Sequence, residues 1–100
     1  MRYANKICYT DIEPYEIIAT KGKTMTVRRM RSIKDFTPEF VEGGFSANCV
    51  NNAKQVWKIT PNEEGEVKII RQHKNGGWMD SSGDKYRPAD VPVRFYDFNF

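Results

Sequence analysis

Six cations between positions 21 and 34 are the side chains in this sequence best suited to chemistry: Lys21, Lys23, Arg28, Arg29, Arg31 and Lys34. Guanidinium groups contact phosphate through two parallel hydrogen bonds and stack on bases. Such a cluster could follow a nucleic-acid backbone or hold an anionic nucleotide. The same residues also suit a solvated edge strand that uses charge to repel neighbouring chains. Arg28 and Arg29 are adjacent, so on a strand they point to opposite faces and share one patch only across a twist or bulge.

Other constellations fall short of a site. Gly22-Lys23-Thr24 copies the end of a phosphate-binding loop, but that loop needs a glycine where this chain has Ile17 and a helix where it has β-prone residues. Asp80 and Asp84 bracket Ser81-Ser82-Gly83 without the further oxygen ligands of a calcium loop. His73 is the single histidine, and no cysteine or histidine pair has zinc spacing. Cys8 or Cys49 could pair with His73 as nucleophile and base, yet both sit among apolar or small neighbours, where cysteine acts as a small hydrophobe. No catalytic residue, metal or cofactor is therefore expected.

Positioning falls to strands. Tyr15–Thr20 and Thr24–Met30 flank Lys21-Gly22-Lys23 as a hairpin, with Met25, Val27 and Arg29 on one face and Thr26, Arg28 and Met30 on the other. A second hairpin is expected over 53–72, turning at Pro61–Gly65, with Val67 and Ile69 on its buried face and Gly65 supplying positive φ. Asn75-Gly76 reads as a type I′ turn leading into Trp78. In the final segment Tyr96, Phe98 and Phe100 alternate with Asp97 and Asn99, the pattern of a half-buried strand with its rings inward. The stretch 32–52 is less regular, with Pro38 and Gly43-Gly44 interrupting any helix begun at Asp35. Its Phe36, Phe40, Val41 and Phe45 form a candidate surface for a protein partner.

The expected fold is mostly β: a small curved sheet, or an SH3-like or OB-like barrel, of five to seven short antiparallel strands with at most one short helix. An α+β sheet with one helix between Asp35 and Val50 is the alternative. One hundred residues suit a single small β domain over 1–100. Although only 39% of residues are hydrophobic, thirteen aromatic rings can fill a modest core. No run of 18 apolar residues occurs, so no membrane span is expected. The first ten residues lack the apolar stretch of a secretory signal, and two cysteines read as reduced thiols, which together place the chain in the cytoplasm. Net charge is +3 and uneven: eight Lys/Arg against four Asp/Glu up to Phe36, then two against five up to Glu66, then six against four. That asymmetry is a cue for an anionic partner.

Three segments carry a family likeness: Ile7-Cys8-Tyr9-Thr10-Asp11, Lys74-Asn75-Gly76-Gly77-Trp78 and the terminal Phe95-Tyr96-Asp97-Phe98-Asn99-Phe100. The chain resembles a family of small uncharacterised bacteriophage and bacterial proteins. Those share an early Cys-Tyr/Trp-Ser/Thr-Asp segment, a basic Asn-Gly turn before a tryptophan, and an aromatic-Asp-aromatic ending. This sequence departs from them at Gln72-His73-Lys74 and across Pro88–Pro92. The resemblance implies a phage or prokaryotic accessory protein, in the host cytoplasm if phage-encoded, and implies no catalytic residue.

Three functions follow as expectations. The first is a non-catalytic module binding nucleic acid or an anionic nucleotide through Lys21 to Lys34. The second is an inhibitor or adaptor acting on a host defence protein. The third is a structural or homo-oligomeric component.

Overall fold

The computed structural model describes residues 2–35, 40–43, 46–49 and 55–96. Ten strands follow one another: β1 (Tyr3–Ile7), β2 (Ile12–Lys21), β3 (Thr24–Arg29), β4 (Arg31–Lys34), β5 (Phe40–Gly43), β6 (Ser46–Cys49), β7 (Trp57–Thr60), β8 (Val67–Gln72), β9 (Trp78–Met79) and β10 (Lys85–Ala89). Six of them close into a barrel in the order β1-β10-β9-β8-β3-β2, and every neighbouring pair is antiparallel. β4 pairs with β7 and β5 with β6 in separate two-stranded sheets. The described residues contain no helix, so the chain is all-β there. Among the described residues no helix is long and apolar enough to cross a membrane.

Closure follows from side-chain alternation. Ala4, Tyr15, Met25, Val27, Ile70 and Tyr86 point inward from β1, β2, β3, β8 and β10 and form the core, with Ile17 and Trp78 packed against it. All six barrel strands thus contribute apolar surface to one interior. Full burial of a side chain such as Ile70 stabilises by about 1.5–3 kcal/mol. The Tyr15 and Tyr86 rings meet edge to face, 5.4 Å between centroids.

Pro14 lies inside β2, fully buried, which its missing N–H makes unusual. Its position explains the tolerance. The β2–β3 register ends at Tyr15↔Arg29, and the next residue, Met30, donates its N–H to the Pro14 carbonyl at 3.0 Å. A proline there can accept the last bond and has no further one to donate. The same ladder is irregular between Ile17 and Ala19, where β2 carries one extra residue.

The expected 53–72 hairpin does not form. β7 pairs with β4, Ser32 opposite Ile59, whereas β8 pairs with β3, Thr26 opposite Ile69. The two ladders follow each other along the same two chain segments, interrupted by Met30 on one side and residues 61–66 on the other. Gly65 sits at this joint, and its φ is not positive. A Cβ on it would lie 2.1 Å from the Arg29 carbonyl oxygen, so close backbone approach requires the glycine. Gly65→Ala is therefore expected to cost about 2–3 kcal/mol, because backbone must move. Gly22→Ala, at φ 58 with open space around it, should cost only about 1 kcal/mol. Paired urea melts of the two variants check the order.

Val67 and Ile69 were expected inside and face outward instead, 53% and 56% exposed. In the β3–β8 register the inward Met25 and Val27 oppose Ile70 and Lys68, and one step of parity moves every side chain to the other face. The Asn75-Gly76 turn is not type I′ either. Only Gly76 has positive φ, the Gly76 N–H bonds the His73 carbonyl and the His73 N–H bonds that of Gly77. That is a three-residue loop with a glycine bulge, and Asp80–Asp84 repeats it with Gly83.

Nor is the last described segment a strand. It meets the barrel through one bridge, Ile12↔Phe95. Arg94 also donates to the Ile12 carbonyl, and two side-chain amides hold the segment's backbone. Asn5 donates to the Val91 carbonyl and accepts from the Val93 N–H, and Gln55 brackets the backbone of Tyr96 in the same manner. Tyr96 is 43% exposed, which overturns its expected inward placement. Phe98 and Phe100 lie outside the described residues.

Candidate functional site

The barrel pulls the sequence cluster of cations apart. Lys21 and Lys23 flank the β2–β3 turn, whereas Arg31 and Lys34 lie in β4, beyond the far end of β3. Five strand steps from Thr24 to Arg29 separate the groups by about 17 Å. Arg28 points outward and pairs with Glu16 at 2.7 Å, and Arg29 pairs with Glu13 at 3.1 Å. Those two charges are neutralised by acids of β2. Of the candidate partner surface, Phe36 and Phe45 lie outside the described residues. Phe40 and Val41 fall in β5, and their side chains are not described.

One mouth of the barrel holds a charged network. Asp80 is its centre, with a side chain 4% exposed. Its Oδ1 accepts the backbone N–H groups of Ser82 at 2.9 Å and Asp84 at 3.1 Å. Its Oδ2 accepts the Tyr86 hydroxyl at 2.9 Å and lies 3.6 Å from Lys68 Nζ, which also reaches Glu66. Burial alone would raise the Asp80 pKa, but the Tyr86 hydroxyl, the two amides and Lys68 together hold it below the ordinary value of 3.8. Burial and then the Asp80 carboxylate push the Tyr86 phenol up. Nearby, the Cys8 thiol faces Glu13 Oε1 at 3.5 Å, and burial followed by that carboxylate raises its pKa. A raised thiol is the reverse of an activated nucleophile. The network's donors and acceptors are used on one another, which suits a structural role.

The outer surface of β8, β9 and β10 differs. Arg71, Met79 and Lys85 form one row across three strands, Arg71 opposite Met79 and Met79 opposite Lys85. Neighbouring strands lie about 4.8 Å apart, so the two cations rise from points about 10 Å apart. Arg87 follows Lys85 on the same face of β10, and His73 and Lys74 continue from β8 into the turn. All five basic side chains are exposed, and among the described residues none makes an ion pair. The sequence signal was present as the period-two spacings Arg71/His73 and Lys85/Arg87. It was diluted because the cations are spread over 71–87, while Lys21–Lys34 are bunched.

Beside this surface lies a groove of about 820 Å³ between β8 and the Met79–Ser82 stretch. Val67, Ile69, Arg71 and His73 line one wall, and Met79, Ser81 and Ser82 the other. No metal-binding group of three or more His, Cys, Asp or Glu occurs among the described residues. Comparison with known protein families, curated proteins and solved structures finds no match to this chain.

Proposed function

We propose that this chain is a non-catalytic binding module whose ligand is the phosphodiester backbone of a nucleic acid, in the setting of a phage or mobile-element accessory protein. The observation that supports it is the exposed, acid-free set Arg71, His73, Lys74, Lys85 and Arg87 on one outer face of the barrel. Cations without internal partners are the ones free to replace counterions on phosphates, whereas Arg28 and Arg29 would first have to leave their carboxylates. In this reading the contact surface is β8–β10 and not the β3 cluster, and the ligand is a nucleic acid rather than a free nucleotide. Backbone contacts of this kind give position and affinity without reading sequence.

The test is a salt titration with a fluorescent single-stranded oligonucleotide of mixed sequence. Four or five phosphate contacts predict a slope of about −3 to −3.5 in log affinity against log salt. That is a loss of about a hundredfold between 50 and 200 mM. Flat salt dependence, or no binding at 50 mM, removes the reading. Absorbance near 260 nm in freshly purified protein, lost after a high-salt wash, is the matching observation on material from the cell.

A further inference from the structure

We infer that the free edge of β8 accepts an extended polypeptide strand from a partner protein, one with alternating apolar side chains and an acidic residue set against Arg71. Strand parity fixes which backbone groups are available. Glu66 accepts the Arg29 N–H and Gln72 donates to the Lys23 carbonyl, so the even-numbered residues of β8 direct their backbone groups to β3. The odd-numbered ones point the other way. Arg71 there meets Met79, but β9 ends at Met79, and the next residue, Asp80, donates its N–H to Asp84 instead. The N–H and C=O of Val67 and Ile69 are left directed into the groove, without a partner among the described residues.

Exposed edges are usually blunted by charge, proline or a bulge. This one does the opposite. Its outward side chains are Val67 and Ile69, both more than half exposed, so hydrogen-bonding groups and apolar contacts are offered together. That combination is what strand addition uses: main-chain bonds for affinity and alternate side chains for specificity. Charge selects the occupant further. Lys68 is committed to Glu66 and Asp80, which leaves Arg71 as the unpaired charge of the groove, with His73 beside it. An acidic side chain on the incoming strand complements Arg71.

This site is separate from the nucleic-acid surface except at Arg71 and His73, and the experiment keeps the two apart. The probe is a blocked heptapeptide of alternating threonine and valine ending in two glutamates, added up to millimolar concentration. Amide hydrogen exchange read by NMR should slow at least tenfold at Val67 and Ile69. A version N-methylated on alternate residues should leave both amides unprotected. Ile69→Pro removes the inferred donor without touching the β3 ladder, since that N–H points away from β3. It should abolish peptide binding and leave oligonucleotide affinity within twofold, while Lys85→Ala with Arg87→Ala should do the reverse. Unchanged exchange at Val67 and Ile69 with saturating peptide overturns the inference. So does equal binding of the N-methylated peptide, which does not depend on any variant folding. Protection that instead appears with protein concentration alone, with a dimer on sizing, assigns the edge to a second copy and overturns it as well.

Discussion

Asp80→Ala is expected to lower the unfolding free energy by about 3–4 kcal/mol, the cost of breaking a buried charged pair from one side. For a chain of this size that is a fall in Tm on the order of 12–25 °C. The carboxylate satisfies two turn amides and the Tyr86 hydroxyl and faces Lys68, so its removal leaves several buried groups short of a partner at once. It also unties the Asp80–Asp84 turn from the barrel wall. Tyr86→Phe deletes one of those contacts and should cost about 1–2 kcal/mol. Because the folded-state pKa of Asp80 lies below 3.8, its stabilisation is fully present above the unfolded value and is lost as pH falls through the folded one. The gap between wild type and Asp80→Ala should therefore stay constant from about pH 7 to 5 and narrow under acid, below about pH 4. Urea melts at a series of pH values measure it. A gap that widened in acid would show that some other group carries the effect.

Combined substitution of Arg71, Lys85 and Arg87 by alanine should weaken single-stranded oligonucleotide binding about a hundredfold or more near 0.1 M salt. The more diagnostic change is in the slope. Three lost phosphate contacts should make the log–log salt dependence shallower by about 2. All three side chains leave the barrel surface without internal ion pairs, so the fold should barely register their loss. Arg28→Ala provides the contrast. It removes a partly exposed pair with Glu16, worth no more than about 1 kcal/mol of stability, and should leave binding and slope as they were. Fluorescence anisotropy with both proteins across 50–300 mM salt decides the matter. If Arg28→Ala weakens binding as strongly as the triple substitution, the contact surface lies on β2–β3 and not on β8–β10.

The β character of the chain was legible because alternation is local. Met25 and Val27 against Thr26 and Arg28 declare two faces within four residues, and the structure keeps them. The hairpin through Gly22 was legible for the same reason, since its two strands adjoin in sequence. Pairing between distant segments was not. Nothing near Val67 announces that its strand lies beside Thr24–Arg29, and without that neighbour the parity of Val67-Lys68-Ile69-Ile70 is ambiguous, because apolar residues occupy both phases. The inward choice of Lys68 depends on Asp80 and Glu66 waiting at the mouth. Gly65 is required not by a positive φ but by a carbonyl oxygen from a strand 36 positions away. The candidate cations followed the same rule. Arg28 and Arg29 are bunched in sequence, yet the acids that neutralise them come from β2, while Arg71 and Lys85 meet only through β9.

The joint at Met30 and Gly65 also divides the polypeptide in a way that matters for its length. The shell is assembled from 3–29 and 67–89, and the β4–β7 ladder continues from it as an arm that leaves after Arg29 and returns at Glu66, where the two chain ends already share a backbone hydrogen bond. Closing a loop costs only about 0.6 kcal/mol more for each doubling of its length. Residues can thus be added to or trimmed from the arm's outer part with little consequence for the six-stranded shell, which makes that arm the natural port for grafting a foreign sequence.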